Sequence, residues 1–147
     1  MRMFRVFLLM MLVFMSFNTG FVGATERKNI PYPENLWKGI IGEAVGEGYK
    51  GMYAVACVYH NRLKKGLPLG CVALKRRDLD EFVRKQGRFE RVAKGIIEEI
   101  FVRNGKDITL GSTHYENIER FGIPYWAKNM VRTVKIGKHT FFKKERS

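Results

Sequence analysis

Apolar residues recur at helical spacing in three stretches of the chain, and each stretch predicts a long helix. The expected ranges are from residues 33–35 to Gly46 or Gly48, about 50–65 and about 89–102, with a short helix near 80–85. Pro33 suits a first helical turn, and glycine is a common helix terminator. The first apolar stripe consists of Leu36, Ile40, Ile41 and Ala44.

The pattern changes in the last third of the chain. Residues 109–115 read as extended, and residues 131–142 alternate and are rich in β-branched and aromatic side chains. Gly137-Lys138 suits a tight turn between strands at 133–136 and 139–142. The pattern therefore predicts an α+β fold with three or four helices followed by a small antiparallel sheet or hairpin.

The N-terminus has the features of an export signal. Arg2 and Arg5 precede an almost wholly apolar run over residues 6–17, and small residues allow cleavage after Ala24. We therefore expect residues 1–24 to be a signal peptide, with an uncleaved anchor as the alternative. Either form places the rest of the chain outside the cytoplasm, as a secreted, periplasmic or cell-envelope protein.

The chain is strongly basic, with a formal net charge of +13. Loss of residues 1–24 removes two arginines and no acid, which leaves +11. Such a surface attracts polyanions, either nucleic acid or the acidic polymers of a bacterial wall. Export argues against nucleic acid and favours anionic wall polymers as partners. A merely solvated cationic surface is the alternative.

Two cysteines, Cys57 and Cys71, are present. In an oxidising compartment they could pair, whereas a buried helix thiol and a loop thiol are the alternative. Spacing does not decide between the two, and neither cysteine belongs to a Cys-x-x-Cys motif.

A carboxyl group in an apolar helix is the first candidate for chemistry. Glu43 lies between core positions of the first predicted helix, and Glu47 follows one helical turn later on the same face. Loss of hydration there favours the protonated carboxyl that a general acid needs. Gly42 costs helix stability and indicates a close approach by backbone or ligand. Two ordinary exposed glutamates are the alternative.

A second group of candidates combines aromatic, amide, acidic and imidazole side chains. The predicted substrate-binding residues are Glu47, His114, Tyr115, Glu116, Asn117, Tyr125 and Trp126. These residue types suit a saccharide groove, since aromatic faces stack on sugar rings, while amides and acids form hydrogen bonds with sugar hydroxyls. Alternatively, the aromatic residues belong to the core and His114 makes a buried polar contact.

A series of motifs follows one another along the chain: Ile41-Gly42-Glu43-Ala44 with Gly46-Glu47, residues 51–56, Tyr59-His60-Asn61-Arg62, residues 111–115 with Asn117, Pro124 with Trp126-Ala127, Ile136-Gly137 and residues 139–142. In this order they resemble the cell wall hydrolase family that includes the spore-cortex-lytic enzymes. The resemblance implies a lysozyme-like fold, with Glu43 as the catalytic glutamate. We expect the catalytic domain over residues 34–147, after a polar, proline-containing linker at 25–33.

The implied activity is cleavage of peptidoglycan glycan strands between N-acetylmuramic acid and N-acetylglucosamine, by a monomer without metal or cofactor. A lytic transglycosylase needs the single glutamate, whereas a hydrolytic muramidase would add Glu47 or Glu116 as a second carboxylate. A zinc-dependent amidase using His60, His114 and His139 is a second hypothesis. A non-catalytic cationic wall-binding protein is a third.

Overall fold

The computed structural model describes residues 30–145, which form an α+β fold. The predicted signal peptide and the first five residues of the predicted linker lie outside this range. The helices are α1 (Leu36–Ala44), α2 (Gly48–Lys64), α3 (Leu79–Lys85), α4 (Glu90–Ile97) and the short α5 (Ile118–Phe121). The strands are β1 (His114–Glu116), β2 (Met130–Ile136) and β3 (His139–Lys144). The predicted fold class is thus confirmed.

The first predicted helix divides at its glycines. α1 ends at Ala44, and a 3-10 turn at Val45–Glu47 leads directly into α2 at Gly48. Gly48 has a φ of +68°, which a side chain would disfavour. α1 and α2 therefore meet without a loop, and residues near this junction are held close together.

α2 is the central helix of the fold. Its residues from Ala54 to Tyr59 are all buried. Met52 and Val55 belong to a core shared with α1, α3 and α4, whereas Ala54 and Val58 pack with Phe141 of β3. Burial of a helix on several sides follows when neighbours pack on different faces. α2 thereby joins the helical part of the molecule to the sheet.

The sheet has the order β1-β3-β2, and both neighbouring pairs are antiparallel. β2 and β3 form the predicted hairpin, in which Ile136 pairs with His139 and Gly137 takes a φ of +59°. An irregularity in the register lies between Arg132 and Lys135. β1 pairs with β3 at its other edge, so that His114 lies opposite Phe142.

The prediction of an extended segment over residues 109–115 is largely wrong, because β1 begins only at His114. Asp107 instead organises a turn: its carboxylate accepts hydrogen bonds from the backbone N–H groups of Thr109 at 2.8 Å and Gly111 at 2.7 Å. Asn61 of α2 donates to the same carboxylate at 2.9 Å. These local bonds compete successfully with strand pairing.

The third predicted helix is confirmed as α4 and a wider π-helical turn at Glu98–Val102. Among residues 30–145, no helix is long and apolar enough to cross a membrane. Cys57 and Cys71 are both buried free thiols, so the disulfide alternative is not formed.

Candidate active site

An open cleft of about 890 Å³ lies between the helical part and the sheet. Its lining comes from the end of α1, one face of α2, the loop at 69–72, β1 with α5, and the turn between β2 and β3. Most of the predicted site residues meet here. They are Glu43, Glu47, His114, Tyr115, Glu116, Asn117 and Trp126.

Glu43 is the penultimate residue of α1, and its side chain is half-buried at the cleft. The backbone N–H of Ala73 donates a 2.7 Å hydrogen bond to its Oε1. The predicted close approach at Gly42 is present, since a Cβ there would lie 2.6 Å from Cβ of Ala73. Glycine at position 42 thus lets the loop reach Glu43 and fix one carboxylate oxygen.

Two tyrosines lie beside Glu43. The hydroxyls of Tyr59 and Tyr115 are 3.0 Å apart and share a hydrogen bond. Burial, and then the nearby Glu43 carboxylate, raise the pKa of Tyr115 well above its ordinary value. Burial and the neighbouring Tyr115 likewise raise the pKa of Tyr59. Both phenols therefore stay protonated near neutral pH and remain able to donate hydrogen bonds.

Glu47 lines the same cleft, but its carboxylate has a partner in the turn between β2 and β3. The backbone N–H of Lys138 donates to Oε2 at 2.8 Å. The Glu47 side chain is packed closely between two glycines: a Cβ on Gly51 would lie 2.1 Å from its Cβ, and one on Gly137 would lie 2.1 Å from its Oε2. Glu47 thus fastens the hairpin turn to the α1–α2 junction.

The sequence expectation placed Glu43 and Glu47 on one face of a continuous helix. This detail is wrong, because α1 ends at Ala44 and Glu47 belongs to the following 3-10 turn. Both carboxyl groups nevertheless reach the cleft.

His114 and Trp126 form part of the opposite wall. Their rings are 5.1 Å apart, and the Trp126 ring also meets Phe142 edge-on at 5.4 Å. His114 Nδ1 lies 2.9 Å from the Thr113 hydroxyl. Burial, followed by the charges of Arg62 and Lys144, lowers the pKa of His114 below its usual range. The imidazole is therefore neutral near pH 7.

Glu116 and Asn117 support the local fold of the wall. Glu116 accepts a 2.8 Å hydrogen bond from the backbone N–H of Asn117. The Asn117 side chain caps α5 by accepting from the N–H of Arg120 at 3.1 Å. Tyr125, by contrast, is 84% exposed and lies outside the cleft lining. Tyr125 is thus the one predicted substrate-binding residue that does not line the cleft.

Several cleft residues were missed as saccharide-binding candidates. Arg62 is the clearest: its Nε donates to the carbonyl of Pro68 at 2.7 Å and its Nη1 to that of Thr113 at 2.9 Å. It thereby joins the loop after α2 to the start of β1. Its position in Tyr59-His60-Asn61-Arg62 is the feature that could have identified it. Other lining residues that were missed include Tyr59, Glu119, Arg120, Phe121 and His139.

The three histidines do not converge. His60 packs on Phe101 at 5.1 Å and is absent from the cleft lining, whereas His114 and His139 are both in it. Within residues 30–145, no three His, Cys, Asp or Glu side chains are grouped so as to hold a metal ion. The zinc-amidase hypothesis has no ligand set in this part of the chain.

An open cleft lined by carboxylates, imidazoles and aromatic rings is typical of enzymes that act on polysaccharides. Residues 46–142 match the model of the cell wall hydrolase family, and the chain belongs to this family. The protein is thus an enzyme that acts on the cell wall, with peptidoglycan as its substrate. The matched segment contains most of the cleft and begins three residues after Glu43. No curated protein and no solved structure matches the chain.

Proposed function

We propose that the protein cleaves the glycan strand of peptidoglycan as a lytic transglycosylase, with Glu43 as its general acid and base. The observation that carries this proposal is the setting of Glu43. Its carboxyl group lies at an open cleft, with Oε1 held by the Ala73 N–H and the protonated Tyr115 phenol beside it. A positioned carboxyl group can reach a bound substrate without reorganising.

The proposed reaction has two proton transfers. Protonated Glu43 donates its proton to the glycosidic oxygen while the bond to the muramic acid C1 breaks, and positive charge develops on that sugar. The carboxylate then takes the proton from the 6-hydroxyl of the same sugar, whose oxygen bonds to C1. The products are a 1,6-anhydro end and a free 4-hydroxyl, and Glu43 regains its proton.

Two neighbouring donors support this cycle. The Ala73 N–H already donates to Glu43, and the Tyr115 hydroxyl, which shares a hydrogen bond with Tyr59, lies near the same carboxylate. Such donors would stabilise the negative charge that develops as Glu43 gives up its proton, and would hold the carboxylate in position for the second transfer.

The other carboxylates of the cleft favour a mechanism with one glutamate. Glu47 holds the hairpin turn, Glu116 accepts from the adjacent backbone, and Glu119 forms an ion pair with Lys135. Each of the three stabilises the walls of the cleft. A hydrolytic muramidase would require one of them, Glu47 above all, to act as nucleophile or base as well.

Mass spectrometry of the soluble muropeptides after digestion of purified peptidoglycan tests the proposal. We expect 1,6-anhydromuramyl ends, which are lighter than hydrolysed ends by the mass of one water. Reducing muramic acid ends would instead identify a hydrolytic muramidase, and release of stem peptides would identify an amidase. No soluble product at any enzyme concentration would favour the non-catalytic wall-binding alternative.

We further propose that residues 1–24 export the protein and that it works as a monomer in the cell envelope. The basic surface would then attract acidic wall polymers. N-terminal sequencing of protein recovered outside the cytoplasm should begin after Ala24. Recovery of the chain in the cytoplasm with Met1 intact would contradict export.

A further inference from the structure

One rim of the cleft exposes a run of large apolar side chains. The segment 121–126, Phe-Gly-Ile-Pro-Tyr-Trp, is called the rim loop below. Phe121 is 67% exposed, Ile123 56% and Tyr125 84%. A single exposed apolar residue is unremarkable, but a contiguous group usually marks a binding surface.

The rim loop is anchored at both ends. Asn117 caps the helix that precedes it, and Gly122 turns the chain with a φ of +77° while its N–H donates to Ile118 at 2.9 Å. At the other end, Trp126 packs against His114 and Phe142. The exposed side chains are therefore presented outward by a fold that is well supported on either side.

The rim loop is continuous with the cleft. Phe121 and Trp126 line the cleft together with Glu43, whereas Tyr125 lies outside the lining. The apolar strip thus begins inside the site and continues onto the surface beside it. A ligand that uses the whole strip must also occupy the cleft, which favours a long polymer over a flat membrane surface.

Two cations accompany the exposed rings. The Arg120 guanidinium lies 5.0 Å from the Phe121 ring centre, and the Lys128 ammonium lies 5.1 Å from that of Tyr125. Neither cation forms an ion pair with a carboxylate of residues 30–145. Each ring is thus paired with a positive charge that is available to an acidic ligand.

We propose that the rim loop, with Arg120 and Lys128, binds a peptide-bearing muramyl unit of the glycan strand beyond the cleavage point. In this arrangement the rings of Phe121 and Tyr125 pack against sugar faces, while the two cations bind free carboxylates of the stem peptide. The inference rests on the proposed function for the identity of the polymer. It adds that recognition requires both the sugar and its acidic peptide.

Sedimentation with insoluble peptidoglycan, done briefly on ice, measures binding without requiring turnover. The substrates are intact peptidoglycan and the same material after its free carboxylates have been amidated with carbodiimide and ammonia, which removes their charge and leaves the cross-linked polymer insoluble. Phe121→Ala with Tyr125→Ala should weaken binding to both by about tenfold. Arg120→Gln with Lys128→Gln should weaken binding to the intact material by about fivefold and leave binding to the amidated material unchanged.

The matched charge control is Arg84→Gln with Arg91→Gln, which removes the same charge from exposed positions of α3 and α4 outside the cleft lining. We expect this control to bind the amidated material like the wild type, and to bind the intact material more tightly than the rim-loop charge variant does. Equal losses for the two charge variants would reduce the role of Arg120 and Lys128 to general attraction and overturn the proposal.

Two further outcomes would overturn it. Wild-type binding by the aromatic variant would show that the rings do not touch the polymer. The rim loop would instead be a membrane contact if the aromatic variant lost wild-type binding to vesicles of anionic phospholipid but still bound peptidoglycan like the wild type. Tyr125→Ala alone provides the same test if the double variant fails to fold. Sedimentation measures binding, whereas muropeptide analysis identifies the products. A failure of the rim-loop proposal can therefore be distinguished from an error in the proposed cleavage site or in the role of Glu43.

Discussion

The backbone N–H of Ala73 donates a 2.7 Å hydrogen bond to Oε1 of Glu43, and so joins the loop that ends in a short 3-10 turn at Ala73–Lys75 to the end of α1. The contact requires a helix surface without a side chain at position 42, where a Cβ would come within 2.6 Å of Ala73. The two residues are thirty positions apart in the chain. The position of the candidate acid is therefore set by packing between α1 and this loop.

Replacement of Glu43 by glutamine should remove wall lysis. Glutamine keeps the shape of the side chain and can still accept from Ala73, but it cannot donate a proton as an acid. We expect activity to fall by at least about 100-fold, the lower limit for loss of a general acid. Clearing of a peptidoglycan suspension measures the rate, and circular dichroism monitors the fold.

The control for this substitution is Glu98→Gln, since Glu98 is an exposed residue paired with Arg103 and absent from the cleft lining. It should retain wild-type lysis. Clearing by Glu43→Gln at the wild-type rate would show that another group supplies the proton.

Replacement of Asp107 by asparagine should destabilise the protein. The carboxylate accepts from Asn61 and from the backbone of Thr109 and Gly111, and an amide cannot accept all of these bonds. Loss of hydrogen bonds to a charged group costs about 1.5–3 kcal/mol of unfolding free energy. Urea denaturation at pH 7 measures the difference.

The contribution of Asp107 should also depend on pH. Burial alone would raise its pKa, but hydrogen bonds from Thr109 and Asn61 more than offset this and lower it in the folded protein. The stabilisation is therefore complete above the unfolded pKa of about 4 and declines as pH falls through the lower folded pKa. The difference between wild type and Asp107→Asn should narrow below about pH 4. A constant difference from pH 7 to pH 2 would contradict this assignment.

Two glycine-to-alanine substitutions should have opposite effects on stability. At Gly51 of α2 the new Cβ would lie 2.1 Å from Cβ of Glu47, so Gly51→Ala should cost about 1–3 kcal/mol. At Gly95 of α4 the new Cβ would meet no atom within 4 Å beyond its chain neighbours and the backbone of its own helix, so Gly95→Ala should add about 0.5–1 kcal/mol of unfolding free energy. Urea denaturation of both variants checks the prediction. Equal signs would mean that Glu47 does not occupy the space beside Gly51.

The two thiols should be unreactive in the folded protein. Cys57 and Cys71 are buried and free, and burial raises the pKa of Cys57 to about 12. Because the thiolate is the reactive form, a thiol-specific chromogenic reagent should label neither cysteine before unfolding and both afterwards. Reducing agent should leave the thermal midpoint unchanged. A midpoint that falls on reduction would demonstrate a disulfide.

The spacing of apolar residues along the chain was sufficient to predict much of the fold. Leu36, Ile40 and Ile41 recur at helical spacing and are completely buried in α1. The turn at Gly137-Lys138 was also predictable, since its residue types and the alternating flanks belong to a hairpin. At residues 109–113 the expectation of an extended segment was wrong, because the Asp107 carboxylate accepts hydrogen bonds from the backbone and forms a turn there.

The sequence predicted which residue types form the candidate site, but it predicted their arrangement in space less well. His114, Tyr115 and Trp126 were singled out as saccharide-binding types, and all three line the cleft. Tyr125 was grouped with Trp126 because both are aromatic, but the two are adjacent residues of a 3-10 turn (Tyr125–Asn129), where neighbouring side chains point in different directions. Arg62 was missed because its two carbonyl partners lie on segments that come together only in the fold.

The sequence pattern alone thus predicted the α+β class, the helical core and the position of Glu43 in an apolar helix. It could do so because the spacing of apolar residues shows which side of a helix or strand is buried. Only the tertiary structure decided the partners of the cleft carboxylates. Glu43 meets Ala73, and Glu47 meets Lys138 from a position 91 residues away. Contacts of this kind leave no local pattern, since they depend on how α1, its facing loop and the hairpin pack around α2.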